Sequence, residues 1–155
     1  MLRTGREKGI AIATGDYIGF VDGDDWIEKN MYSYLLCQLQ EQDADIVSCG
    51  CVRVGIDTSY SGNIDFSGTP EEVLEIIFGN TEYSVSMCDK LYKREVWDGV
   101  YFSRLTIGED AVVTCQLVSN ARKVVKISTP LYYYRLRENS AMTSAFSKNK
   151  MDEEE

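Results

Sequence analysis

The chain has 155 residues and 44% hydrophobic content, which suits one packed domain with a sizeable core and excludes a disordered polypeptide. Its formal net charge of −9 excludes the phosphate-neutralising surface that nucleic-acid binding requires. Histidine is absent, which removes Ser-His-Asp and Cys-His catalysis and most zinc sites, so acid–base chemistry falls to Asp, Glu, Lys, Tyr or Cys and any metal site is oxygen-rich, suited to Mg²⁺ or Mn²⁺.

Residues 2–14 read as a short helix ending at Gly15. Tyr17–Val21 is an apolar run bounded by turn formers and predicts a buried strand of the parallel-sheet kind. It empties into Asp22-Gly23-Asp24-Asp25-Trp26. A helix over about 26–42 follows, with Asp25 as cap and Glu28 completing a capping box. Ala44–Val54 predicts a second strand, and Gly55–Gly68 a surface loop with at most a short extended piece. Thr69-Pro70-Glu71-Glu72 is a strong helix start, with a capping Thr, Pro at the first helical position and Glu at the third. That helix should reach Phe78. A short strand and short helix fit residues 85–98. Gly108-Glu109-Asp110 opens a helix to about Asn120. Lys123–Ser128 and Leu131–Leu136 predict two strands separated by Pro130. Alternating strands and helices predict an α/β sheet.

Asp22-Gly23-Asp24 at the end of a hydrophobic strand carries the strongest chemical signal, because open α/β sheets bind ligands beyond the carboxyl ends of their strands. Two carboxylates with Gly between them leave room for a divalent ion and a close-lying phosphate, and such an ion would act as Lewis acid and template for a diphosphate leaving group. A plain Asp/Gly turn is the competing reading. An EF-hand fails, because its sixth and twelfth positions counted from Asp22 hold Ile27 and Ser33. A phosphatase of the haloacid dehalogenase type is disfavoured by Trp26 where Thr or Val is expected.

The stretch Thr4–Trp26, with Arg6, Glu7 and Gly9 on its helix, Ala13-Thr14-Gly15-Asp16-Tyr17-Ile18 and then Asp22-Gly23-Asp24, resembles the central block of family 2 glycosyltransferases. Asp89-Lys90-Leu91-Tyr92-Lys93-Arg94, Gly108-Glu109-Asp110 and Tyr132-Tyr133-Tyr134-Arg135-Leu136-Arg137-Glu138-Asn139-Ser140 resemble three further blocks of that family, in the same order. The resemblance implies a partial GT-A (nucleotide-diphospho-sugar transferase) fold: a mixed, mostly parallel sheet with flanking helices. Residues 1–143 would form the catalytic domain and 144–155 an acidic, disordered tail.

It also implies roles. Asp22 and Asp24 would be the metal-binding motif, with Asp24 in direct contact with Mg²⁺ or Mn²⁺. Asp110 would be the catalytic base of an inverting transfer, its carboxylate favoured by the exposed amides of a helix N-terminus. Arg6, Lys90, Arg135 and Arg137 are the donor-binding candidates, together with Asp22 and Asp24; for Lys90, Arg135 and Arg137 an acceptor anion is a second possible ligand and solvated surface charge the competing role. Trp26 and Glu109 are the acceptor-side candidates; core packing is the competing role for Trp26, and helix capping for Glu109 and Asp110. The donor would be a nucleotide-diphospho-sugar, UDP-sugar favoured, and the acceptor a glycan or lipid-linked glycan of cell-surface polysaccharide synthesis.

The family's usual opening strands, which line the pocket for base and ribose, are missing, and Glu7 stands where Asn is usual. A parallel strand such as Tyr17–Val21 would then expose an edge, through which a homodimer could form. An inactive truncated relative, acting as a dimerising or carbohydrate-binding module, is the alternative function. Five cysteines without a CxxC, and no apolar leader or membrane-length run, lead to the expectation of reduced thiols in a cytoplasmic protein, at most peripheral at the inner face of the plasma membrane.

Overall fold

A computed structural model describes residues 5–55, 58–61, 64–79, 83–103 and 108–136. The elements in chain order are helix α1 (Gly5–Ile12), strands β1 (Tyr17–Gly19) and β2 (Trp26–Ile27), helix α2 (Met31–Glu41), strands β3 (Ile46–Val54), β4 (Ser59–Ser61) and β5 (Phe66–Gly68), helix α3 (Pro70–Gly79), strand β6 (Lys90–Lys93) leading into a 3₁₀ turn (Arg94–Trp97), helix α4 (Glu109–Asn120) and strand β7 (Val124–Arg135). The strands form one sheet in the order β1-β6-β3-β7-β2, with β4 beside β3 and β5 beside β7.

Three layers result. On one face Met31, Leu35 and Leu39 of α2 pack on Val47, Cys49, Val125, Ile127 and Leu131. On the other Val73 of α3 and Val113, Leu117 and Val118 of α4 pack on Ile46, Tyr92 and Val124. Strand β3 is therefore buried on both faces from Ile46 to Gly50, which explains a run without polar alternation. Tyr32 of α2 lies directly over Gly19 and donates to Phe20 O (3.2 Å), an approach that any side chain at position 19 would block. This contact seats α2 against the end of β1.

The sheet is mixed, as expected, but its balance is reversed. Only β3 with β7 is parallel among the described residues; the other five pairings are antiparallel. Strand β1 is not a central parallel strand. It is three residues long and pairs antiparallel with β6, Ile18 opposite Tyr92, with Ile18 its one buried residue.

Two further expectations are corrected. No helix begins at Trp26: Trp26 and Ile27 pair with Tyr133 and Tyr132 of β7, and α2 starts five residues later without a side-chain cap. Cross-strand aromatic pairing has overridden the local capping pattern. Pro130 does not divide two strands either. It lies inside β7 opposite Gly50, where the β3 ladder shifts register on both sides, so the missing N–H costs no regular ladder bond. Two short strands, β4 and β5, occupy the expected loop over 55–68. Helix α1 occupies Gly5–Ile12 of the expected 2–14, whose first residues lie outside the described ones, and the two helix starts with strong local signals are found where expected. Thr69 and Glu72 make the reciprocal capping box, with Glu72 Oε2 accepting from Thr69 N (2.8 Å) and Thr69 Oγ1 accepting from Glu72 N (3.4 Å). Helix α4 opens and closes where the sequence predicts. The tail over 144–155 lies outside the described residues.

Candidate active site

The acidic loop after β1 is a tight turn, with Asp25 N donating to Asp22 O (3.1 Å). It rests on one buried phenol. Tyr132 accepts from Asp22 N (3.3 Å) and donates to Asp25 Oδ2 (2.5 Å). Burial, and then the hydrogen bond to Asp25, push the Tyr132 pKa above its ordinary value, so the phenol stays a donor. The other oxygen of Asp25 accepts from Arg135 N (2.9 Å). Asp25 is thus the clasp between this loop and β7, not a helix cap. Glu28, its expected capping partner, instead accepts from the Tyr133 hydroxyl (2.7 Å).

Helix α4 brings Asp110 to the same place. Its N-cap, Gly108, has φ of +84°, a left-handed conformation that glycine adopts without strain, and Asp110 falls in the first turn. Helix α1 supplies the link. Arg6 Nη1 donates to Asp110 Oδ1 (2.6 Å), and Nη2 donates to Asp22 Oδ1 (2.8 Å). Desolvation opposes the guanidinium charge, but Asp110 and Asp22 outweigh it and hold the Arg6 pKa above the usual value. The side chains stay open to ligands, at 26% exposure for Arg6, 44% for Asp22 and 32% for Asp110. Asp110 Oδ2 also faces Met87 N–H at 3.5 Å. Cys88 lies 3.8 Å below Arg6; burial, and then Asp22, push its thiol up to about 12, so it remains protonated.

Glu109 is half-buried, with one carboxylate oxygen, Oε1, buried and unpartnered. Its pKa is raised, by burial first and by Asp110 and Glu7 against the opposing pull of Arg6. At the sheet edge Trp26 stacks on Tyr133, with centroids 5.5 Å apart and planes 6° from parallel, and the Arg135 guanidinium lies 5.6 Å from the Trp26 ring. Trp26 is 39% exposed, so this aromatic–cation stack is a surface platform and not core packing.

Lys90 differs from its expected place. It is fully buried, and its ammonium donates to Ser84 O (2.7 Å), Ser86 O (2.7 Å) and Asp89 Oδ1 (2.5 Å), with the Tyr83 ring 5.0 Å away. An ammonium with those partners offers no donor-facing charge. Arg137 lies outside the described residues. Arg6, Asp22, Asp110 and Glu109 come together at the start of α4; Asp24 follows Asp22 in the same loop and neighbours Tyr134, and Arg135 meets that loop through its backbone N–H and Trp26 through its guanidinium.

The carboxylates of Asp22 and Asp24 have the donor chemistry of a hard-cation site. Among the described residues no group of three or more Cys, Asp or Glu side chains converges on a metal position. An ion held there would take one or two carboxylates and would need its remaining ligands from water and substrate phosphates, as Mg²⁺ and Mn²⁺ commonly do.

Three site features escape the sequence reading: the phenol of Tyr132 beneath the acidic loop, the clasp made by Asp25, and the bridging by Arg6. The alternation within β7 carries the only signal for the first, since Tyr132 and Tyr134 share a face opposite to Tyr133.

The glycosyl transferase family 2 model matches residues 2–100. Glycosyltransferase GlyG of Streptococcus pneumoniae is 31% identical over 158 residues, covering 91% of this chain and 50% of GlyG. The poly(ribitol-phosphate) beta-N-acetylglucosaminyltransferase TarS of Staphylococcus aureus is 27% identical over 151 residues, covering 92% of this chain and 25% of TarS. The crystal structure of TarS residues 1–349 in complex with UDP-GlcNAc superposes with a TM-score of 0.74 at 23% identity, over 92% of this chain and 41% of that one, a likeness that establishes the GT-A fold. The chain spans half of GlyG and less of the other relatives. The family match runs through the helix of Arg6, the acidic loop and the Lys90 segment, and by it the chain belongs to glycosyltransferase family 2.

Proposed function

We propose that this chain carries the donor-phosphate and catalytic portion of an inverting, metal-dependent glycosyltransferase that uses a nucleotide-diphospho-sugar, UDP-sugar favoured, in cell-surface polysaccharide synthesis. The observation that carries this reading is the single guanidinium shared by Asp22 and Asp110. It brings the candidate cation ligand and the candidate base side by side, one on each Nη of the same guanidinium. That the structure of TarS was solved with UDP-GlcNAc supports the donor class.

In this reading Asp22 and Asp24 would hold the divalent cation, which when bound neutralises the charge of the departing diphosphate. Asp110 accepts the proton of an acceptor hydroxyl. The acceptor oxygen forms its bond to the anomeric carbon on the face opposite the diphosphate, the bond from that carbon to the phosphate oxygen breaks, and the nucleoside diphosphate leaves with the electron pair. Arg6 aligns the two acidic sites and offers its fork to the diphosphate. Glu109 faces the acceptor, and the Trp26–Tyr133–Arg135 stack is a platform for an acceptor sugar ring.

Titration calorimetry with Mn²⁺ and UDP tests the site directly. The wild-type chain should bind UDP only with Mn²⁺, Asp24→Asn should abolish that heat, and Asp110→Asn should leave it within about twofold, because the base does not contact the nucleotide. An Asp24→Asn chain with wild-type heat would refute the metal role.

A further inference from the structure

We infer that Lys90 is a positioning residue of the transfer, acting through the Ser84–Met87 turn on the base Asp110. Four consecutive carbonyls of this turn each accept from a side chain. Lys90 Nζ donates to Ser84 O and Ser86 O (both 2.7 Å), Thr114 Oγ1 donates to Val85 O (2.7 Å), and the Tyr92 hydroxyl donates to Met87 O (3.3 Å). Thr114, Lys90 and Tyr92 are buried, so these pins are shielded from water. Two serines tighten the turn from within: Ser84 Oγ accepts from Ser86 N, and Ser86 Oγ accepts from Cys88 N (both 3.2 Å). With its carbonyls turned inward, the turn presents Met87 N–H to Asp110 Oδ2 and Cys88 to Arg6. Burying an ammonium is costly unless it is fully partnered, and Asp89, also buried, supplies the counter-charge. The Asp89–Lys90 pair thus fixes a backbone shape that aims the Met87 N–H at the base.

The role in transfer rests on the glycosyltransferase reading; the geometry does not, and the experiment separates them. Hydrogen exchange at the Met87 amide and UDP release from UDP-GlcNAc with Mn²⁺ are measured on the 155-residue chain. The variants are Thr114→Val, Thr114→Ser and the charge-neutral pair Asp89→Asn/Lys90→Met. Thr114→Val and the double variant should each speed Met87 exchange about tenfold and lower kcat about tenfold, with KM for UDP-GlcNAc within about twofold. Thr114→Ser, which keeps the hydroxyl, should restore both. Unchanged Met87 protection in both disruptive variants overturns the inference, as does a double variant whose KM rises at constant kcat, since Lys90 would then be a donor ligand. A wild-type chain that releases no UDP would refute the glycosyltransferase reading, while the exchange data would still judge the turn.

Discussion

Asp22 and Asp110 are held by opposite prongs of the Arg6 guanidinium, at 2.8 and 2.6 Å. The bond to Asp110 spans most of the described chain, yet α1, which carries Arg6, buries none of its residues. Ile10 packs on the core and Arg94 holds the carbonyls just past the helix, so the Arg6 bridge is one of several anchors of α1 and the one that meets the site.

Arg6→Lys should expose this distinction. Lysine keeps the charge but has no fork and cannot serve two carboxylates in the same geometry. Roughly a 100-fold loss in kcat/KM is expected, the scale of a small misplacement of reacting groups. The global stability should change by less than about 1 kcal/mol, because the pairs are partly exposed and screened. Urea unfolding run beside steady-state kinetics checks both. A matched loss of stability and activity would mean that Arg6 is structural.

Tyr132→Phe removes one oxygen and with it two partners, Asp22 N and Asp25 Oδ2. Both lose a part-buried hydrogen bond, at a cost of about 1–2 kcal/mol. Mn²⁺-dependent UDP binding should weaken at least tenfold, because the acidic loop loses its support. Tyr133→Phe is the control. Its hydroxyl meets Glu28 at the surface, and removing it should cost under about 0.5 kcal/mol and leave UDP binding unchanged.

Local chemistry explains what the sequence makes legible here. The α3 capping box is written in four adjacent residues, and α4 follows from Gly108-Glu109-Asp110 and a helical pattern. Asp25 and Glu28 have the same capping spacing, but their carboxylates serve tyrosines of β7, 105 and more positions away in sequence, so the local signal misleads. Lys90 shows the same limit. Nothing local distinguishes a lysine that will face a phosphate from one that will hold three internal oxygens. The order of the family blocks makes the meeting of Asp22 with Asp110 foreseeable; the guanidinium between them is a matter of three-dimensional placement.

Gly108→Ala tests how α4 delivers the base. At φ of +84° a Cβ costs about 1–2 kcal/mol, although no neighbouring atom would meet it. The strain falls on the residue that orients the first turn, where Asp110 sits. Stability should drop by that amount and kcat should fall more than KM rises. A kcat at the wild-type value would show that Asp110 is held by Arg6 and Met87 alone.

At the far end of the sheet Asp45 is buried between β6 and the start of β7. Lys93 Nζ and Arg122 Nη2 each donate to its Oδ1 at 2.8 Å, and Arg122 N donates to Oδ2 at 2.7 Å. Burial alone would raise its pKa, but the hydrogen bonds from Arg122 and Lys93 prevail and lower it from 3.8 to about 2. A carboxylate depressed in the folded state stabilises the fold above its unfolded pKa, and that stabilisation is lost as pH falls through the folded value. The window is therefore from about pH 4 down to about pH 2, and the contribution is on the order of 1–2 kcal/mol after allowing for the exposed Arg122. Asp45→Asn should be less stable than wild type at pH 7, and the gap should narrow on acidification within that window. Urea titrations at pH 7, 4 and 2.5 decide it: a gap that is constant across the three would mean that Asp45 contributes packing and not charge.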